Sequence, residues 1–271
     1  MSKTILITGA SKGFGKIWTE AFLEQGYQVA ATSRNIEPLN DLVSKYGDSI
    51  LTFSLDVNNR EAAFAAVQKV HQHFGKIDVL INNAGYALFG AIEEASEQEA
   101  RDQFQTNFFG ALWMTQAVLP IMRAQKSGHI IQTSSILGLI TLPFVGLYNA
   151  SKFAIEGFSE TLASEVKDFG INITLVEPNG YASDIWKNET HSQGIAAYEG
   201  IKKASSESGA TGSFGNIEAT AEALLKLVAA TNPPLRLFLG KVALPFVKHH
   251  YEQRLAVWEE WAEVSEKAHG N

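Results

Sequence analysis

The sequence predicts an α/β fold: one domain built on a doubly wound parallel sheet with helices on both faces. Short apolar runs alternate with amphipathic helical segments, and such alternation favours parallel strands joined by right-handed crossovers. A glycine-rich segment directly follows the first of these strands. Polar residues that can carry chemistry stand where several strands end, and ligands bind at that edge of a doubly wound sheet.

Apolar runs and their glycine or proline boundaries define about seven strands and the helices between them. The predicted strands are 4–8, 28–32, 50–55, 78–81, 129–133, 171–176 and 235–239. The predicted helices are 14–25, 37–46, 60–74, 97–123, 148–169, 217–230 and 242–267. Within the single domain 1–271, residues 179–215 are predicted to form a mobile substrate-loop insertion with one marginal helix near 193–205. Residues 241–271 are predicted to form a helical C-terminal tail.

The composition is that of a globular protein and excludes several classes of function. Of the 271 residues, 45% are hydrophobic and 19% are charged, which allows a substantial core. The net charge of −7 opposes binding to nucleic acid or to anionic lipid. Cysteine is absent, so disulfides, thiolate nucleophiles and cysteine-bound metals are excluded.

No apolar segment of the sequence is predicted to cross a membrane. The first apolar run, TILIT, is too short for a signal peptide. The longest apolar run, 136–148, contains Pro143 and is shorter than a membrane span. We therefore expect a cytoplasmic protein.

A serine, a tyrosine and a lysine are predicted to meet near the end of the fifth strand. Ser135 precedes Tyr148 by thirteen residues, and Lys152 follows Tyr148 by four. Four residues is one helical turn, so the ammonium group would lie near the phenol and lower its pKa from the ordinary value of about 10. Such a pair also arises by chance, and a second one, Tyr198 with Lys202, is interpreted as incidental because no strand-borne serine precedes it.

The segment TGASKGFG after the first strand is predicted to bind a dinucleotide. Gly9, Gly13 and Gly15 would allow a tight turn, the close approach of a pyrophosphate, and contact between helix and strand. The following helix would present its N-terminal amides to the phosphate. Further candidate contacts in this loop are Ser11, Lys12 and Phe14. A purely structural turn is the alternative.

A further motif, NNAG at 82–85, follows the fourth strand. Together with the loop spacing Gly-x-x-x-Gly-x-Gly, Asp56, Asn107 and the set Ser135, Tyr148 and Lys152, it resembles the short-chain dehydrogenase/reductase family. The resemblance covers essentially the whole chain. YNASKFAIEGFSE and NPPLRLFLG are similar to the branch with hydroxysteroid and retinol dehydrogenases and many bacterial carbonyl reductases.

This resemblance implies an NAD(P)(H)-dependent oxidoreductase that self-associates as a homodimer or homotetramer through its two long helices. Tyr148 would be the general acid or base, and Ser135 would hydrogen-bond the reacting oxygen. Lys152 would hold the nicotinamide ribose and lower the tyrosine pKa. Ser134 is interpreted as structural, because only Ser135 has the family's separation from Tyr148.

The same resemblance assigns further residues to the cofactor and to catalysis. Asp56 and Val57 correspond to adenine contacts, although Asp56 would also suit a cap of the next helix. Asn107 corresponds to a residue that bends its helix and completes a proton relay; a buried, merely hydrogen-bonded asparagine is the alternative. The other cofactor contacts implied by the family are Asn83, Ala84, Gly85, Pro178, Gly180 and Ser183, besides Tyr148 and Lys152.

The end of the second strand favours NADP(H) as the cofactor. NAD-binding proteins place a carboxylate there for the ribose hydroxyls, whereas this chain has Thr32, Ser33 and Arg34. The Arg34 guanidinium suits a 2′-phosphate, and Lys12 is a second candidate cation. A solvated surface arginine is the alternative interpretation of Arg34.

Residues near the predicted site are largely apolar or aromatic, which favours a hydrophobic ketone or alcohol as substrate. The candidate pocket residues are Leu137, Leu142, Phe144, Val145, Asn179, Tyr181 and Trp186. Asn179 stands where the family typically has glycine and is expected to reshape the pocket. Ser183 stands where threonine is usual and retains the hydroxyl.

Other chemistries are not favoured. His71 and His73 are two positions apart on a predicted helix and therefore diverge, so no metal site is predicted. Ser135 does not stand in a Gly-x-Ser-x-Gly segment, so it does not match the nucleophile of the usual α/β-hydrolase arrangement. Glu93 and Glu94 are interpreted as solvated charges.

Two alternatives to a reductase remain on the same fold. One is an NADP(H)-binding regulator without turnover, and the complete set Asn107, Ser135, Tyr148 and Lys152 argues against it. The other is an epimerase or dehydratase that uses the same cofactor by transient oxidation.

Overall fold

Nine strands form two sheets in the computed structural model, which describes residues 2–181, 190–208 and 214–270. The strands are β1 (Thr4–Thr8), β2 (Gln28–Ser33), β3 (Ile50–Ser54), β4 (Val79–Asn82), β5 (Leu88–Phe89), β6 (Gly128–Thr133), β7 (Ile171–Pro178), β8 (Thr190–His191) and β9 (Arg236–Leu239). The larger sheet has seven parallel strands in the order β3-β2-β1-β4-β6-β7-β9. The predicted doubly wound sheet is therefore confirmed.

The helices connect these strands and cover the sheet. They are α1 (Gly13–Glu24), α2 (Asn40–Tyr46), α3 (Arg60–Phe74), α4 (Glu97–Phe104), α5 (Gly110–Gln125), α6 (Gly146–Val166), α7 (Ala196–Ser208), α8 (Thr220–Ala229), α9 (Ala243–Glu260) and α10 (Ala262–Ala268). Short 3₁₀ turns occur at Glu37–Leu39, Gly47–Ser49, Ile92–Glu94, Ile136–Gly138, Lys167–Phe169 and Ile217–Ala219.

Both faces of the large sheet are buried, because its strands are apolar on both sides. In β1, Ile5 and Ile7 face one apolar cluster and Leu6 faces the other, as the two-residue period of a strand requires. The first cluster contains residues of α1, α2 and α8, and the second contains residues of α3, α5 and α6. Trp18 Nε1 donates to Thr220 Oγ1 at 2.9 Å and joins α1 to α8.

The strand order reverses between β1 and β4, so the loops that follow these two strands leave the sheet side by side. Such a reversal opens a crevice at the carboxyl ends of the strands, where doubly wound proteins bind their ligands. The glycine loop follows β1 and the NNAG segment follows β4, so the fold brings both motifs to this crevice.

Three details differ from the sequence-based expectation. The helix predicted at 97–123 is interrupted, because a π-helical turn, Gln105–Phe109, separates α4 from α5. A small parallel sheet of β5 and β8 was not predicted. The marginal helix near 193–205 is α7, shifted to Ala196–Ser208.

None of the helices in the described part of the chain combines the length and the apolar character needed to cross a bilayer.

Candidate active site

The end of β6 and the first turn of α6 bring Ser135, Tyr148 and Lys152 together. Ser135 has an extended backbone (φ −168°, ψ 157°), and its Oγ accepts a hydrogen bond from Leu137 N at the start of a 3₁₀ turn. Because α6 begins at Gly146, Tyr148 lies in its first turn and Lys152 one turn later. The Ser135 hydroxyl is hydrogen-bonded to the phenol of Tyr148. Lys152 Nζ lies 5.5 Å from the centroid of the Tyr148 ring.

The phenol of Tyr148 is protonated at neutral pH in this arrangement. Burial raises the pKa of Tyr148 to about 12, against the opposing effect of the hydrogen bond with Ser135. Lys152 Nζ donates to Thr133 O at 2.7 Å. Burial lowers the pKa of Lys152 to about 8, and the charge of Glu156 opposes this effect. Lys152 therefore carries its charge at neutral pH. The raised pKa of Tyr148 is contrary to the expectation that Lys152 lowers it, because burial of the phenol outweighs the effects of its neighbours.

Asn107 lies in the π-helical turn and is buried. Its Oδ1 accepts from Tyr86 N at 3.1 Å, and its Nδ2 donates to Tyr86 O at 2.9 Å and to Ser151 Oγ at 3.1 Å. A Cβ atom on Gly85 would lie 3.1 Å from Asn107 Oδ1 and 3.9 Å from Lys152 Nζ. Glycine at position 85 thus keeps free the space between the asparagine and the lysine.

The glycine loop after β1 is held from the NNAG segment by Asn83. Its Nδ2 donates to Thr8 O at 3.0 Å and to Gly9 O at 3.1 Å. Gly9 has φ +66°, and a Cβ atom there would lie 2.9 Å from Ala84 Cα. A Cβ atom on Gly15 would lie 2.3 Å from Gly9 O. Both glycines are therefore required by packing, and the Asn83 amide, expected to touch the cofactor, holds the loop.

Gly13 differs from these two glycines because it faces open space. It has φ +55°, and nothing lies within 4 Å of a Cβ atom placed there. Lys12 precedes α1 and makes no side-chain cap with it, so the first amides of this helix remain available to an anion. This geometry suits the pyrophosphate of a dinucleotide.

Two cations stand at the mouth of this loop. Lys12 and Arg34 are exposed, and neither takes part in a salt bridge within the described residues. Ser33 Oγ and Ser11 Oγ lie 2.7 Å apart and join the end of β2 to the glycine loop. The end of β2 thus offers hydroxyls and positive charge, which fit a phosphorylated ribose.

Asp56 does not cap the next helix, contrary to the alternative raised from the sequence. The cap of α3 is Asn59, whose side chain accepts from Ala62 N at 2.9 Å. Asp56 Oδ1 accepts from Asn58 N at 3.0 Å, and the residue is exposed. Val57 is buried, and a Cβ atom on Gly110 would lie 2.7 Å from its Cγ2.

The segment between Ser135 and Tyr148, which was predicted to line the substrate pocket, pairs with Gly90. Phe144 O accepts from Gly90 N at 2.8 Å, and Val145 is buried and bridges to Gly90. Phe144 has φ +64°, a strained value for a residue with a side chain, and strain of this kind clusters at functional sites. Leu142 is 43% exposed, which makes it available to a ligand at the rim.

Leu137 and Tyr181 are positioned differently from the pocket lining that was expected. Leu137 packs on the small apolar cluster that includes Ala243 and Val247. Tyr181 is buried in the main core, where its ring contacts that of Phe14 with centroids 5.4 Å apart. The Phe14 side chain is thus also part of the core, leaving only its main chain for the cofactor. Ser183 and Trp186 lie outside the described residues.

The end of β7 lies close to Ser135, and the residues that follow approach the turn after β9. Ser135 Oγ donates a long hydrogen bond, 3.5 Å, to Pro178 O. Gly180 O accepts from Gly215 N at 3.0 Å. Asn179 packs against Gly240, where a Cβ atom would lie 1.8 Å from Asn179 Oδ1. The Asn179 side chain is therefore directed at the turn after β9.

We expect Gly240→Ala to destabilise the protein by about 2–4 kcal/mol, since Gly240 has φ +98° and its Cβ would collide with Asn179. Chemical denaturation would measure this loss. Combining the change with Asn179→Gly should recover the steric part and leave the backbone part, giving a coupling energy of about 1 kcal/mol or more. Strictly additive effects of the two substitutions would contradict the contact.

Glu94 is buried and paired, contrary to its interpretation as a solvated charge, whereas Glu93 is exposed as expected. Its Oε2 lies 2.5 Å from Lys202 Nζ and accepts from Ala91 N, and its Oε1 accepts from Ile195 N. The hydrogen bond from Lys202 is the largest influence that lowers the pKa of Glu94 to about 2. Tyr198 Oη donates to Glu93 Oε2 at 2.6 Å. The second Tyr-x-x-x-Lys pair thus anchors α7 to the turn at Ile92–Glu94.

Two residues that support the site were missed from the sequence. Thr8 Oγ1 accepts from the amides of Asn83 and Ala84, and Ser151 Oγ accepts from Asn107 Nδ2 and donates to Tyr148 O at 2.8 Å. Thr8 ends a strand beside the glycine loop, and Ser151 follows Tyr148 by three residues on one helix face. The place of each residue, at a strand end and on a helix face, can be read from the sequence. The groups that hydrogen-bond to it cannot.

Comparisons with known proteins agree with this geometry. The family profile described as short chain dehydrogenase matches residues 3–194. An oxidoreductase of Botryotinia fuckeliana, BOA17, is 39% identical over 277 aligned residues, covering 98% of each chain. The 3-ketodihydrosphingosine reductase of Bacteroides thetaiotaomicron is 39% identical over 247 residues, covering 87% of each. A solved structure of a short-chain dehydrogenase from Streptomyces avermitilis superposes with a TM-score of 0.91 and 36% identity over 99% of both chains.

Proposed function

The chain belongs to the short-chain dehydrogenase family, and on that basis we propose that it is an NADP(H)-dependent reductase of hydrophobic ketones or aldehydes. In the reverse direction it would oxidise secondary alcohols. One observation carries the proposal: the phenol of Tyr148 is hydrogen-bonded to Ser135 and has the Lys152 ammonium 5.5 Å from its ring. A neutral phenol beside a cation and a second hydroxyl is suited to protonate a carbonyl oxygen as it gains charge.

The residues at the ends of β1 and β4, where the strand order reverses, would hold the cofactor. The open side of Gly13 and the first amides of α1 would bind the pyrophosphate. Arg34 and Lys12, both exposed, would bind the 2′-phosphate, and no carboxylate at the end of β2 opposes it. When bound, NADPH supplies the hydride for the carbonyl carbon.

Residues of the chain would transfer the proton to the substrate and restore it to Tyr148. Tyr148 Oη would donate it to the substrate oxygen while the Ser135 hydroxyl donates a hydrogen bond to that same oxygen. The Lys152 ammonium would stabilise the phenolate that remains. The space that Gly85 leaves between Asn107 Oδ1 and Lys152 Nζ supports a route by which a proton returns from solvent to the tyrosine.

The apolar residues between Ser135 and Tyr148 support a hydrophobic substrate. Val145 is buried there, Leu142 is exposed at the rim, and Phe144 is held in a strained conformation between them. A relative is named 3-ketodihydrosphingosine reductase, so 3-ketodihydrosphingosine belongs in a test panel together with aliphatic, aromatic and cyclic ketones.

The test follows NADPH absorbance with this panel and identifies the products. We expect stoichiometric conversion of at least one apolar ketone to its alcohol, with NADH a poorer donor. Tight NADPH binding without turnover of any carbonyl or alcohol would instead assign a regulator. Product formation with no net change of NADPH would assign an epimerase or dehydratase.

A further inference from the structure

A buried acidic cluster lies directly behind the catalytic lysine, and the proposed mechanism does not use it. Glu156 follows Lys152 by one turn of α6 and is 5% exposed. Its Oε1 accepts a hydrogen bond from Ser134 Oγ at 2.5 Å, and its Oε2 accepts from Arg236 Nε at 3.0 Å. One carboxylate therefore contacts both the residue next to Ser135 and the last strand of the sheet.

Arg236 also contacts two further carboxyl groups, those of Glu177 and Glu160. Its Nε lies 3.4 Å from Glu177 Oε1 on β7, and its Nη2 donates to Glu160 Oε2 at 2.9 Å. Glu177 is fully buried, and its oxygens have no hydrogen-bond partner within the described residues. Burial raises the pKa of Glu177 to about 8, and repulsion from Glu156 adds to this effect. Glu177 is thus largely neutral at pH 7. Burial also raises the pKa of Glu156, and the hydrogen bond from Ser134 and the charge of Arg236 act against burial and favour its anion.

The packing around Glu156 is tight. A Cβ atom on Gly138 would lie 2.9 Å from Glu156 Cγ, 2.9 Å from Ser134 Oγ and 3.1 Å from Lys152 O. The 3₁₀ turn that carries Gly138 follows Ser135 directly. Gly138 therefore packs closely against the Glu156 side chain, the Ser134 hydroxyl and the Lys152 backbone.

We propose that Glu156 is a positioning residue for the catalytic lysine: its carboxylate, fixed by Ser134 and Arg236, keeps Lys152 in the ammonium form beside Tyr148. Lys152 Nζ is hydrogen-bonded to Thr133 O, so Glu156 acts through the field of its charge along one helical turn. The lysine needs this support because it is 6% exposed, and burial disfavours an ammonium group. This proposal rests on the proposed function only for the role of Lys152 in turnover.

The direction of the expected effect follows from the charges. Burial lowers the pKa of Lys152 to about 8 and Glu156 raises it against burial. Loss of the Glu156 charge therefore lowers the lysine pKa further. The ammonium form predominates below that pKa. An activity that needs the ammonium would therefore fall off at a lower pH without the Glu156 charge than in the wild type.

The test measures the pKa of Lys152 directly, by NMR titration of Lys152 Cε in isotope-labelled enzyme, with Lys152→Met to assign the signal. Glu156→Gln keeps the shape and should lower this pKa by about one pH unit or more. Glu160→Gln is the matched control, because it removes a carboxylate from the same arginine at a site whose side chain is 62% exposed, and should leave the lysine pKa unchanged. An unchanged pKa in folded Glu156→Gln, or an equal fall in Glu160→Gln, would overturn the proposal.

A second variant tests the same idea without altering Glu156. Arg236→Gln removes a cation, so a direct effect on Lys152 would raise the lysine pKa. Acting through Glu156, which would then bind a proton more readily, the change should lower it, so a fall in the lysine pKa supports the proposal.

The pH profile of kcat/KM for ketone reduction separates this proposal from the proposed function. In Glu156→Gln the alkaline limb should move to lower pH by the shift that NMR records. If the NMR shift occurs while no carbonyl is reduced by any variant, the field of Glu156 on Lys152 is supported and the proposed function fails.

Discussion

Replacing Tyr148 by phenylalanine is expected to lower kcat for ketone reduction by about 10²- to 10⁴-fold, the usual contribution of a general acid. The substitution removes the hydroxyl that is bound to Ser135 and lies beside the Lys152 ammonium, and with it the proton that the proposed mechanism transfers. The affinity for NADPH, measured by fluorescence titration, should stay within a few-fold of the wild type.

Tyr198→Phe provides the matched control, because Tyr198 also precedes a lysine by four residues. Its hydroxyl contacts Glu93 on the surface, and we expect turnover like that of the wild type. Equal turnover of Tyr148→Phe and wild type would reject Tyr148 as the acid.

Exchanging Arg34 for aspartate is expected to reverse the cofactor preference. The change removes a free guanidinium and places a carboxylate where a 2′-phosphate would bind, so the ratio of kcat/KM for NADPH over NADH should fall by about 100-fold or more, or about 3 kcal/mol. The aspartate can also bind ribose hydroxyls, so activity with NADH should rise.

Arg101→Asp changes the net charge by the same amount on an exposed face of α4, where Arg101 pairs with Glu97. It should leave the cofactor ratio unchanged. If Arg34→Asp also leaves that ratio unchanged, Arg34 is a solvated surface residue and the preference for NADP(H) has another origin.

Much of the fold was predictable, because local sequence and tertiary structure agree along the sheet. The strands are apolar on both faces and end in polar residues or glycine, so their bounds differ from the prediction by two residues at most. The position of Ser135, Tyr148 and Lys152 was predictable for the same reason: a strand end and a helix start fix them.

The rest depends on partners that are distant in sequence. Glu94 resembles a surface acid beside Glu93, yet it is buried and pairs with Lys202, 108 residues later. Tyr181 follows the end of a strand, where pocket residues are expected, yet its ring packs against that of Phe14 in the core. No local pattern contains either contact.

The π-helical turn at Gln105–Phe109 has a consequence for chain length. A π turn accommodates one residue more than a regular helix, and each residue of an α-helix turns it by about 100°. Deleting one residue here would make α4 and α5 continuous and rotate one against the other. Gln103, which now binds Leu88 N at 2.8 Å and Tyr86 O at 2.9 Å, would then turn away from the loop that Asn107 also holds. The number of residues in this π turn, as well as their identity, therefore determines which side of α4 faces the candidate active site.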